Sequence, residues 1–138
     1  MEKQDKIAYR QLKAGFELPC RSYQIKPAMI ADYLRAVDED DSLYHKNNAA
    51  PPMAVAAYAM NAIADSIVLP PGVVHSHGQI EFLGRAKAGD IINCYGTVNS
   101  KLERGSLHFL TIDFSIQKRD GSKILKGKTS LLIPAGKE

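Results

Sequence analysis

Only two cysteines occur in the chain, Cys20 and Cys94, far apart and in no paired spacing. Two cysteines so placed do not make a disulfide-stapled scaffold. Two buried free thiols are expected, with a bridge between them the less favoured alternative. No apolar run reaches the ~18 residues of a membrane-spanning helix, and no charged-then-apolar leader opens the sequence, so a soluble cytoplasmic protein is expected. Internal repeats and low-complexity segments are missing. Excess basic charge is also scarce: 18 basic against 15 acidic side chains give a net charge of +3. That is too mild for a nucleic-acid-binding stripe.

What is present fits an ordinary globular chain. With 138 residues, 45% of them hydrophobic and 24% charged, it is long enough to bury one core. The stretch around which the rest is organised begins at Pro51-Pro52 and closes at Pro70-Pro71-Gly72. Proline is tolerated in the first turn of a helix and stops one when it follows, so a single helix is expected over about 52–69. Met53, Ala56, Ala57, Met60, Ile63, Ala64 and Ile67 fall on its apolar face, with Tyr58, Asn61 and Asp65 opposite. Six alanines between Met53 and Leu69 would let this helix approach a neighbour's backbone closely.

Upstream, residues 1–14 have no sustained period and read as a frayed arm, leaving 15–138 as one domain. Phe16–Ile25 has β character interrupted at Pro19, and Pro27 starts a short helix to about Val37. A polar, acidic connection follows, with Asp38, Glu39, Asp40 and Asp41 in succession. Four acids are a poor helix C-terminus, because the helix dipole disfavours negative charge there. Beyond Gly72 the period changes to alternation. Four strands are expected, at about 72–85, 91–102, 106–118 and 123–134, separated by the turns Lys87-Ala88-Gly89-Asp90, Glu103-Arg104-Gly105 and Arg119-Asp120-Gly121-Ser122. An antiparallel meander needs one face covered, and only helix 52–69 is long enough. An α+β fold follows, with a five-stranded antiparallel sheet wrapped around a central helix.

That order resembles the hotdog fold, and local segments resemble the MaoC-like dehydratases, or (R)-specific enoyl-CoA hydratases. The matching pieces are Tyr33-Leu34-Arg35-Ala36-Val37, Ala50-Pro51-Pro52-Met53, Val74 to Phe82, and Lys87-Ala88-Gly89-Asp90-Ile91-Ile92. The Ala-Pro-Pro opening resembles the N-terminal half of double-hotdog MaoC proteins. The resemblance implies addition or removal of water at trans-2-enoyl or (R)-3-hydroxyacyl thioesters. It also implies a coenzyme A or acyl carrier protein thioester as substrate, no further cofactor, and an acyl channel between two subunits, a homodimer or a heterodimer with another hotdog chain.

The family signature Gly-Asp-x-Asn-Pro-x-His holds and deprotonates a water with its Asp and His. Here the Asp-to-His spacing is kept as Asp40 to His45, without the Asn or the Pro. A second register puts Glu39 and Tyr44 at the two positions. The implied catalytic pair is Asp40 and His45, and the amides of Met53 and Ala54 would bind the thioester oxygen as it gains enolate charge. Against this stands a solvated acidic loop with a surface histidine, in a non-catalytic subunit that binds acyl thioesters or supports a catalytic partner. A thioesterase would need an acid near the long helix, where only Asp65 is available. His75 and His77 alternate onto one strand face without a third ligand, so no metal is expected. His108 reads as a hydrogen-bonded core histidine, and Arg85, Lys87, Lys118 and Arg119 read first as turn charges.

Overall fold

A computed structural model describes residues 6–36 and 50–134. In chain order it contains β1 (Ile7–Ala8), a 3-10 turn (Tyr9–Gln11), β2 (Arg21–Gln24), α1 (Pro27–Ala36), α2 (Pro52–Ser66), β3 (Ile67–Val68), β4 (Val74–Phe82), β5 (Ile91–Arg104), β6 (Leu107–Lys118) and β7 (Lys123–Pro134). Five strands form one antiparallel sheet in the order β2-β5-β6-β7-β4. This is the expected sheet-around-helix arrangement. Pro19 breaks the first strand as anticipated: only an isolated bridge from Glu17 to Thr97 precedes β2.

Alternation in β5, β6 and β7 builds the concave face. Cross-strand rows such as Cys94–Ile116–Leu125 and Val98–Ile112–Thr129 point inward and are buried. Helix α2 lies over β5 and β6, with Val55, Ala56, Ala59, Ala62 and Ile63 buried beneath it. One row lacks bulk on both sides: Gly96 and Gly127 flank Phe114 in register. The Phe114 ring leans across Gly127, where a Cβ atom would stand 2.5 Å from its Cζ and 2.5 Å from the Gln79 carbonyl oxygen.

The helix stops earlier than expected. It ends at Ser66, and Ile67–Val68 turn extended to pair in parallel with Ile7–Ala8. Arg21 holds this end: its Nε donates to Ser66 Oγ at 3.0 Å and its guanidinium to the Asp65 carbonyl at 3.0 Å. A cation on the last carbonyls satisfies acceptors that the helix itself cannot, and it complements the dipole. The β-branched pair Ile67-Val68 favours the strand that follows.

Residues 7–12 are likewise not frayed. Tyr9 and Leu12 are buried, and Lys101 Nζ donates to both their carbonyls at 3.0 and 3.1 Å while lying 4.1 Å from the Tyr9 ring centre. His108, half-buried, stacks on that ring. A two-residue strand and a 3-10 turn carry no period, so this docking left no pattern to read.

The helix faces also differ in part. Asn61 and Asp65 are exposed as expected, but Tyr58 is buried against Tyr23 (ring centres 5.3 Å apart), whereas Met53 is 52% exposed and Ala64 is exposed. With alanine on most sides, the few large residues decide which face turns inward, and Val55, Tyr58 and Ile63 outweigh the methionines. Of the thiols, Cys94 is buried and Cys20 exposed, both free, which corrects the expected burial of both.

Gly127→Ala should destabilise the fold by about 2–3 kcal/mol, toward the upper end for overpacking, because one blocking atom is backbone and cannot step aside. Urea denaturation of the variant checks this. A loss below about 0.5 kcal/mol would show that Phe114 and β4 yield without strain.

Candidate functional site

The first turn of α2 is set by what precedes it. Ala50 N–H donates to the Ala86 carbonyl at 2.8 Å, tying the approach to the loop after β4. Pro51 is the N-cap in an extended conformation and Pro52 occupies the first helical position. Neither proline has an N–H. The Ala54 and Val55 amides both donate to the Pro51 carbonyl, at 3.0 and 3.1 Å. Among the described residues this leaves Met53 N–H as the first-turn amide with no acceptor. Of the two amides singled out from the sequence, Ala54 is engaged and Met53 is available. A free amide at a helix N-terminus adds a directed donor to the positive end of the dipole, the arrangement that receives an oxygen gaining negative charge.

Asp40 and His45, and the alternative pair Glu39 and Tyr44, lie outside the described residues. In sequence they fall between the end of α1 at Ala36 and the Ala50 tether. Asp65 is exposed at the opposite end of α2 from Met53.

The histidines of β4 do not share a face. A register shift at Ser76 sets His75 opposite Leu131 and His77 opposite Ser130, neighbours that point to opposite sides of β7. His75 Nε2 is hydrogen-bonded to the buried Thr129 Oγ1 at 2.6 Å. Among the described residues no three His, Cys, Asp or Glu side chains converge as a metal site would require.

Two other titratable groups face the core. Burial, helped by the nearby Cys20 thiol, pushes the Cys94 thiol up to about 12. Burial, then the charges of Asp65 and Cys94, raises Tyr23, with Arg21 opposing, and the Tyr23 hydroxyl is buried without a hydrogen-bond partner among the described residues. Neither group is poised as a nucleophile at neutral pH.

Sequence reasoning missed the Ala86 carbonyl and the division of labour between Met53 and Ala54. Both are backbone features, set by where the chain folds back and not by any side chain.

The family model of the FAS1-like dehydratase domain region matches residues 13–126. No curated protein matches the sequence. Solved structures similar in fold include the MaoC-like dehydratase from Rhodospirillum rubrum (16% identity over 91% of this chain and 95% of that one, TM-score 0.73). The R-hydratase PhaJ1 from Pseudomonas aeruginosa is 19% identical over 94% of this chain and 86% of that one, with a TM-score of 0.73. The HadBC (3R-hydroxyacyl-ACP dehydratase) complex from Mycobacterium tuberculosis is 18% identical over 95% and 99%, with a TM-score of 0.71.

The thiols give a direct check on this end of the sheet. At mildly alkaline pH a thiol reagent should modify Cys20 rapidly and Cys94 only after unfolding; two equally fast equivalents in the native protein would contradict the burial of Cys94. The family match over 13–126 and the sheet closed over α2 agree: this chain belongs to the MaoC-like hotdog family of dehydratases and hydratases, in its FAS1-like dehydratase region.

Proposed function

We propose that this protein hydrates trans-2-enoyl thioesters, or dehydrates (R)-3-hydroxyacyl thioesters in reverse. The observation that carries the reading is the Met53 amide at the N-terminus of α2, which has no acceptor among the described residues. In the hydration direction Asp40 and His45 hold a water and remove one proton as its oxygen bonds to C3. The C2–C3 π electrons move toward the carbonyl, and the thioester oxygen takes the negative charge. Met53 N–H donates to that oxygen, stabilising the enolate more than the neutral substrate. The proton then returns to C2, completing the addition of water.

The assembly proposed with this chemistry is a pair of hotdog chains joined through β4. That strand is an edge of the sheet, and its residues are exposed on both faces apart from the half-buried Ile80. An edge with free N–H and C=O groups pairs readily with another strand. The partner is a second copy or a related chain, as in the HadBC complex.

Hydration of trans-2-butenoyl-CoA by the purified protein tests the reading. Asp40→Asn and His45→Gln should each lower kcat by about 10²–10⁴, while full activity in both would remove the pair from the mechanism. Glu39→Gln and Tyr44→Phe decide between the two registers. Met53→Pro deletes the donor at a first-turn position where proline is tolerated, and should lower kcat by about 10²–10³ with little loss of melting temperature. Met53→Ala keeps the amide and should retain activity. If proline and alanine at 53 behave alike, the enolate is held elsewhere.

A further inference from the structure

The face of the sheet turned away from α2 changes character along its length. On β6 the outward side chains Thr111, Asp113, Ser115 and Gln117 are polar, as a solvated face requires. Toward the β5–β6 hairpin the outward row is apolar instead: Leu102, Phe109, Leu132 and Val74 stand in register across four strands. Val74 is 55% and Leu102 50% exposed, and Leu107, opposite Pro134, carries the apolar surface on to the hairpin. A groove of about 530 Å³ opens beside this row, where the parallel strands β1 and β3 diverge. Tyr9, Arg10, Val68, Leu69, Pro70 and Pro71 line it. Row and groove are continuous. A Cβ atom at Gly72, just past the two prolines, would stand 3.2 Å from Pro134 Cγ, and His108 beside the hairpin stacks on Tyr9. Four of the eight large apolar side chains exposed among the described residues, Val68, Val74, Leu102 and Leu107, thus share one end, away from the Ala50–Ala86 tether.

Shape and charge together identify what covers this surface. A hairpin that projects and a groove that recedes lie side by side on the same chain. A two-fold axis between them seats each chain's hairpin in the other's groove, which a flat partner would leave unfilled. Glu103 at the hairpin and Arg10 at the groove are exposed, and neither makes an ion pair among the described residues. Across that axis each finds the opposite charge. The apolar strip reaches the roughly 300–600 Å² of an interaction surface, and a polar rim brings it toward the ~800 Å² that each partner of a stable pair buries. We propose that this end joins a second copy of the same chain, hairpin into groove and groove onto hairpin, through an interface separate from the β4 edge. A chain carrying both interfaces assembles beyond pairs: a closed tetramer where the two axes intersect, an open row where they do not.

The test is the mass of the full chain in solution, by light scattering and sedimentation equilibrium. Leu102→Asp with Leu107→Asp should about halve the mass of the wild-type assembly, from four chains to two, or from two to one where β4 does not pair. An open row should likewise fall back to pairs. A monomeric wild type, or a mass that the aspartates leave unchanged, would overturn the proposal and give this end to a different partner. The charge pair supplies a check that a folding defect cannot imitate. Arg10→Glu and Glu103→Arg should each weaken association by about tenfold, since each brings like charges together in both halves of the contact. An equimolar mixture of the two single variants should regain wild-type affinity, because a mixed pair restores opposite charges at both places. Two weakened variants that stay weak when mixed would show that Arg10 and Glu103 do not meet across chains, and the hairpin-in-groove contact would be wrong.

Discussion

The close seat of an alanine-rich helix on a curved sheet is the constraint from which the rest of this structure follows. Alanines at 56, 59 and 62 are buried, so the backbone of α2 can run near the floor formed by Leu110, Ile112 and Ile116. Each alanine contributes little apolar area, and at about 25 cal/mol per Å² most of the hydrophobic stabilisation comes from the sheet's own side chains, with the helix excluding water from them. Such a lid can slide unless its ends are fixed. Arg21 fixes the C-terminal end through Ser66 and the Asp65 carbonyl, and the Ala50–Ala86 hydrogen bond fixes the chain just before the N-terminal end. Neither anchor belongs to the turn that carries Met53, yet together they determine where its amide points.

The glycines serve the same constraint from the sheet side. Phe114 needs room that β7 would not leave if it carried a side chain at 127. Leu18 fills the space above Gly96, where a Cβ atom would come within 3.0 Å of its Cδ1, and the aromatic ring covers Gly127. The concave face is thus filled by side chains reaching across from other positions. Phe82, at the end of β4, remains exposed, while Ile80 two residues before it is half-buried against the core.

Much of this architecture was legible because it is periodic. The alternation of Leu110, Ile112, Phe114 and Ile116, the proline brackets of α2, and Asp120-Gly121 between β6 and β7 each write a local physical rule into neighbouring residues. What escaped was aperiodic or non-local. Tyr9 and Leu12 are buried through a short 3-10 turn and a lysine ninety residues away, and the end of α2 at Ser66 depends on Arg21 from another strand. The bulge at Ser76, which separates His75 from His77, has no marker residue. At the candidate site the helix start was legible from Pro51-Pro52, but which amide stays free depends on a backbone carbonyl that composition does not record.

An ordinary helix presents several unsatisfied N–H groups in its first turn, enough to hold an anion loosely in more than one pose. Here two prolines remove donors at 51 and 52, and the Pro51 carbonyl takes up the next two at 54 and 55. Among the described residues a single donor remains, that of Met53, with the helix dipole behind it. One donor binds a neutral carbonyl weakly and discriminates by direction, so its contribution grows as charge develops on the oxygen. The same prolines make the first turn rigid before anything binds, so little conformational freedom is lost when an oxygen arrives. A first turn built in this way suits an oxygen that gains negative charge better than a neutral one at rest.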